Sequence, residues 1–285
     1  MKYGLIVEGG GMKCAYGAAI LDRFLDEKIS FDYCIGISAG SANLASFLAG
    51  QRDRNRRYYV EHSDDPRYLS LRNYFKTGSL FGLDYIYSYM TNSDGPDPLD
   101  FPALQRDNTE YEIVTTDGAT GKPVYLNKSH MVQDDYWAVK ASCALPAACK
   151  PVKHDGFTFF DGGVSDSLPI ERALEKGCDK VVVVMSKPKG YVKKPQGGRW
   201  FYKIACRKYP AIVNALDNRH IMYSRELNRL YELEKEGKVF LYMMSRDIDI
   251  SVYTKDKAII QSVYDLGLED YETLRPELHR FLDIE

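Results

Sequence analysis

No apolar run in this chain of 285 residues approaches the roughly 18 residues of a membrane-crossing helix, so any contact with a bilayer is expected to be peripheral. A dominant charge is missing too. Lysine and arginine number 38 against 40 aspartates and glutamates, a formal net charge of −2, which gives no global pull toward nucleic acid. The six cysteines, Cys14, Cys34, Cys143, Cys149, Cys178 and Cys206, lack the paired spacing of a metal site. The first residues read as a strand and lack the charged-then-apolar pattern of a secretory signal. The expected compartment is therefore the reducing cytoplasm. Cys143 and Cys149 could be redox partners, but small buried packing residues explain them without special chemistry. No internal repeat is present.

What is present is alternation. Strand-like runs at 3–7, 33–37, 111–116, 157–160 and 180–185 are separated by helical patterns, the order expected of a mainly parallel sheet with covering helices. Val181-Val182-Val183-Val184-Met185 has the continuous apolar character of a strand buried on both faces. With 45% hydrophobic residues the chain can bury a large core, and one α/β domain fits better than two small ones.

Chemistry concentrates in three places. Gly36-Ile37-Ser38-Ala39-Gly40 follows a strand-like run and precedes a helix-like one. A serine flanked by small residues at such a turn has the form of a nucleophile elbow, in which a tight turn lifts the hydroxyl clear of the backbone. Gly9-Gly10-Gly11-Met12-Lys13 lies between the strand-like 3–7 and the helix-like 15–25, where its N–H groups could converge on an anion. Asp161-Gly162-Gly163 follows the strand-like Phe157-Thr158-Phe159-Phe160. Each also has a bland explanation: an ordinary turn for Ser38, a turn-capping aspartate for Asp161, and a nucleotide-phosphate loop for the glycines. The last lacks both the Walker spacing and a G-x-G-x-x-G with its downstream acid.

In this order the three elements resemble the patatin-like phospholipase family. Ala141-Ser142-Cys143-Ala144-Leu145-Pro146 with Lys150-Pro151-Val152, the Thr115 to Leu126 hairpin and the Asp161 to Pro169 loop extend the likeness over roughly residues 3–185. The resemblance implies a three-layer α/β/α sandwich with a mainly parallel central sheet, in which residues 1–186 form the catalytic core and 187–285 an extension packed on it. It implies a serine acylhydrolase acting on lipid esters. Ser38 would be nucleophile, Asp161 base, and Gly9, Gly10, Gly11, Met12 and Lys13 the oxyanion and substrate-binding loop, with no metal or cofactor. Departures from the family pattern fall in the same places: Glu8 before the glycines, Lys13 where arginine is frequent, Cys14 where glycine is usual, and Asp166 and Ser167 where asparagines are frequent.

Two other readings stay open. His220 and His279 follow Asp161 in the chain order of an α/β-hydrolase triad. A non-catalytic lipid- or protein-binding module on the same scaffold is the other.

Residues 66–109 look irregular, and the aromatic cluster Asp84 to Met90 could line an acyl pocket or lid. From Lys187 to Leu216 there are eight basic residues and no acidic one, interleaved with Tyr191, Trp200, Phe201, Tyr202 and Tyr209. That composition suits peripheral contact of 187–209 with an anionic membrane, or a plain solvated face. Residues 218–236 and 257–268 have helical spacing, with a strand-like Val239 to Met243 between them.

Overall fold

Side chains alternate across a strand, so a continuous run of valines must find apolar partners on both sides. The computed structural model, which describes residues 1–284, provides them. Its strands are β1 (Tyr3–Val7), β2 (Tyr33–Ile37), β3 (Glu110–Asp117), β4 (Pro123–Asn127), β5 (Val152–His154), β6 (Phe157–Asp161), β7 (Lys180–Pro188) and β8 (Val239–Met244). On one face Leu5, Val7, Cys34, Ile113, Val182 and Val184 pack into a cluster with helices α1 (Ala15–Asp26) and α2 (Ala39–Leu48) and the Lys257–Phe281 helix. On the other, Ile6, Ile35, Ile37, Val181, Val183 and Met185 meet the Ile170–Glu175 helix and Leu227, Leu230 and Leu233 of the Pro210–Lys235 helix. Burial of each such side chain stabilises the fold by about 1.5–3 kcal/mol.

The sheet runs β5-β6-β3-β2-β1-β7-β8, with β4 paired to β3. The pairings β3–β2, β2–β1, β1–β7 and β7–β8 are parallel, while β4–β3, β6–β3 and β5–β6 are antiparallel. Helices on both sides make a three-layer α/β/α sandwich.

The two C-terminal helices are longer than their sequence spacing predicts. The first starts at Pro210, where a proline is well placed because the first turn needs no N–H donor. The second continues to Phe281 through Pro276, with Tyr271 and Leu278 buried on either side of the proline. Its Gly267 lies against α1 so closely that a Cβ there would come within 2.6 Å of the Tyr16 carbonyl oxygen. Residues 66–109 are not shapeless. They form short helical segments at Leu71–Thr77, Tyr85–Tyr89 and Phe101–Arg106.

Candidate active site

One strand edge brings the proposed nucleophile and base together. Along β3, Val114 pairs with Ile37 of β2 on one side and with Tyr125 of β4 on the other. The next residue, Thr115, pairs with Val124 of β4 and with Asp161 of β6. The edge that β2 vacates is therefore taken up by β6 one residue later. Ser38, directly after Ile37, and Asp161, the last residue of β6, end up side by side. Positions 123 apart in sequence are thus brought together by a single step of register on β3.

Ser38 has φ 52° and ψ −130°, a conformation that costs a non-glycine residue about 1–3 kcal/mol and persists only when its surroundings impose it. They do so here. The Ser38 N–H donates to Ser142 Oγ at 2.8 Å, and Ser142 Oγ in turn donates to the Val114 carbonyl at 2.6 Å. The Ser38 carbonyl accepts from Ser41 Oγ at 2.6 Å. The turn also needs Gly40, because a Cβ there would sit 2.2 Å from the Val7 carbonyl oxygen. Helix α2 begins at the following residue, with its positive end beside the serine.

Asp161 is 2% exposed. Its Oδ1 accepts the Gly163 N–H at 2.9 Å, while Oδ2 is buried with no hydrogen-bond partner among the described residues. Burial pushes its pKa up, against the opposing pull of the nearby Ser38 hydroxyl, the Arg219 guanidinium and the Gly163 N–H. The Ser38 hydroxyl is thus within the carboxylate's influence without a formed hydrogen bond, a common state for catalytic pairs before substrate arrives.

The N–H groups of Gly9, Gly10 and Gly11 donate to no acceptor among the described residues. Those of Met12 and Lys13 are taken, at 3.4 Å by the Val252 carbonyl and at 3.3 Å by that of Gly10. All five residues line the cavity that holds Ser38 and Asp161, but only the three glycines have N–H groups left for a ligand. Cys14, which departs from the family pattern, lies buried behind the loop with its Sγ 3.5 Å from the Glu8 carbonyl oxygen.

Glu8 is a structural centre that sequence reasoning noted only as a departure. Its buried carboxylate accepts the Ser186 N–H at 2.6 Å and the Tyr223 hydroxyl at 3.0 Å, and lies 3.5 Å from Lys187 Nζ. It ties the glycine loop to the end of β7 and to the Pro210–Lys235 helix. A glutamate directly ahead of a glycine run was the available signal.

The cavity, about 370 Å³, has an apolar wall from Tyr59, Tyr68, Phe81, Leu83, Ile86 and Tyr87. Five of these, all but Tyr59, belong to the first half of the 66–109 insertion, as expected of a pocket-lining segment. No histidine lines it among the described residues. His279 lies elsewhere, with Nε2 2.7 Å from Glu27 at the far end of α1, and the buried Nδ1 of His220 has no partner among the described residues. All six cysteines are free and buried, and burial raises the thiol pKa of both Cys143 and Cys149. Cys143 packs beside the site, 3.2 Å from the Tyr87 hydroxyl.

A family model described as patatin-like phospholipase matches residues 5–174. The chain belongs to that family. A second model, a domain of unknown function designated DUF6363, matches residues 209–283 of this patatin-like protein. It is 27% identical over 260 residues to the uncharacterized protein YjjU of Escherichia coli K12, covering 85% of this chain and 67% of that one. Among solved structures it matches VipD from Legionella pneumophila at 12% identity and a TM-score of 0.44, over 95% of this chain and 67% of the other. No helix among the described residues is long and apolar enough to cross a membrane.

Proposed function

We propose that this patatin-like protein is a serine acylhydrolase that cleaves carboxylic esters of lipids through a Ser38–Asp161 dyad. The observation that carries the proposal is the partnerless, buried Asp161 Oδ2 beside a serine held in a strained elbow. Ser38 Oγ attacks the ester carbonyl and its proton passes to Asp161 Oδ2. The tetrahedral oxyanion takes the N–H groups of Gly9, Gly10 and Gly11, support whose loss costs about 3–4 kcal/mol in comparable sites. As the intermediate collapses, Asp161 returns the proton to the departing alcohol. Water, deprotonated by the same carboxylate, then attacks the acyl-enzyme and restores Ser38. An aspartate is a weak base in water, and burial that raises its pKa makes it a better one.

The lipid nature of the substrate rests on the family and on the apolar wall of the cavity. The surface around the entrance supports peripheral contact with an anionic membrane by residues 187–209. Trp200, Phe201 and Ile204 are exposed on the Arg199–Ala205 helix, with Lys203, Arg207 and Lys208 close by in sequence. Leu71 and Phe75, exposed on the Leu71–Thr77 helix, were not signalled by the charge pattern. Leu71 and Phe201 line one cleft that also reaches Asp161. Hydrolysis of a long-chain glycerol ester by the purified protein, lost in Ser38→Ala, tests the proposal. Undiminished hydrolysis by the variant would overturn it.

A further inference from the structure

The cavity around Ser38 is also an uneven charge distribution. Lys13, Lys187, Lys193 and Arg219 line it, against the carboxylates Glu8 and Asp161. Glu8 is already engaged by Ser186, Tyr223 and Lys187. Lys13, Lys193 and Arg219 each lack a carboxylate within ion-pair distance among the described residues. Asp247 and Asp249 act on Lys13 only from farther away. Elsewhere in the protein partly buried cations are paired, as Arg172 and Lys176 are with Glu112.

The crowding has a measurable signature. Burial and the charges of Arg219 and Lys187 push the Lys193 ammonium down to about 8. Burial and Lys187 lower Lys13 in the same way. Like charges held together with too little counter-charge are relieved by an anion. Arg219 is fixed for that task, its Nε donating to the Gly163 carbonyl next to Asp161.

We infer that this cluster makes the site selective for acyl esters whose alcohol portion carries a phosphate without a compensating cation, and that Lys193 is the residue that reads that charge. The inference rests on the hydrolase reading of Ser38 and Asp161. Such a substrate places its acyl chain along Tyr59, Tyr68 and Ile86 and its anion among the cations. An alcohol ending in a quaternary ammonium would bring a fifth positive charge to the same place, and a neutral alcohol would leave the cluster unrelieved. Lys187, Lys193 and Arg219 all lie beyond residue 174, where the match to the family model ends. Arg219 falls within the second family match, and Lys187 and Lys193 lie between the two.

Two soluble esters with the same acyl group, 1-butyrylglycerol 3-phosphate and 1-butyrylglycerol, test this without a lipid surface. The protein should show at least a tenfold higher kcat/KM for the phosphate ester. Lys193→Met should reduce that ratio at least fivefold, whereas Lys193→Arg should keep most of it. Equal kcat/KM for the two esters, or a ratio unchanged by Lys193→Met, would overturn the inference while leaving the hydrolase reading intact. Calorimetric titration of the Ser38→Ala protein with the phosphate ester separates the two claims if no hydrolysis is seen. Binding weakened tenfold by Lys193→Met would uphold the anion site and reject the hydrolase. No binding, or equal affinity for inorganic phosphate, would reject the substrate assignment.

Discussion

Gly9 lies against Ser38 so closely that a Cβ on the glycine would come within 2.8 Å of the serine Cβ and of the Ile37 carbonyl oxygen. The loop and the elbow are therefore fitted to each other, and the fit tolerates no side chain at Gly9. Gly9→Ala should push the loop away from the serine and lower ester hydrolysis about 100-fold, the scale of losing one oxyanion donor. The folded protein should persist, as judged by an unchanged circular dichroism spectrum. Activity near that of the parent would show that the loop takes no part in the reaction.

Asp161 should be a liability to stability as well as a base. Because burial raises its folded-state pKa, the folded protein holds this proton more tightly than the unfolded chain. Stability is then lost as pH rises from the ordinary aspartate range through the raised value. At neutral pH Asp161→Asn removes that penalty while the amide oxygen can still accept the Gly163 N–H. The variant should lose activity by about 10²–10⁴-fold and gain about 2–4 °C in Tm. For the parent, the acid limb of kcat/KM should fall above the ordinary aspartate range.

Much of the frame is legible in the sequence alone. The valine run of β7 announced a strand covered on both faces, and the glycine-flanked Ser38 announced the elbow. What pairing adds was not legible. Nothing local in Phe157 to Asp161 says that β6 takes over the β3 edge where β2 stops, and that handover is what sets Asp161 beside Ser38. The same holds for Ser142, whose hydroxyl bridges Val114 and Ser38 across strands far apart in sequence. Lys193 stood in a basic segment by composition and Arg219 lay outside it, and their convergence on the cavity depends on how the helices close over the sheet. The histidines of the triad reading had the right chain order and no means of showing that His279 lies at the other end of α1.

A half-buried carboxyl pair, Asp166 and Glu226, stands just behind the site. Glu226 accepts the N–H groups of Ser167 and Leu168 at 3.2 and 3.0 Å, and Asp166 accepts the Tyr125 hydroxyl at 2.7 Å. Burial, with the adjacent Asp166, raises the Glu226 pKa, so the pair retains a proton where free carboxyls have lost theirs. By the same sign as above, this pair's contribution to stability should fall as pH rises beyond the ordinary glutamate range. Thermal unfolding measured from about pH 5 to about pH 9 should show that fall in the parent and a shallower one in Glu226→Gln. Parallel curves would contradict the shared proton.

The entrance surface carries its own expectation. Replacing Phe75 and Trp200 by serine removes two of its most exposed apolar groups, 85% and 72% exposed. Co-sedimentation with anionic vesicles should fall several-fold, and added salt should weaken the parent's binding as well. Hydrolysis of a short, water-soluble ester should be unaffected. Equal recovery of parent and variant would leave the exposed aromatics without a membrane role.

The most direct measurement is reaction with a fluorophosphonate probe followed by mass mapping of the modified peptide, in the parent, Ser38→Ala and Asp161→Asn. The account predicts one phosphonyl group on Ser38 in the parent, none in Ser38→Ala, and labelling of Asp161→Asn slowed at least 100-fold. An unlabelled parent, or a label that survives Ser38→Ala, would contradict it.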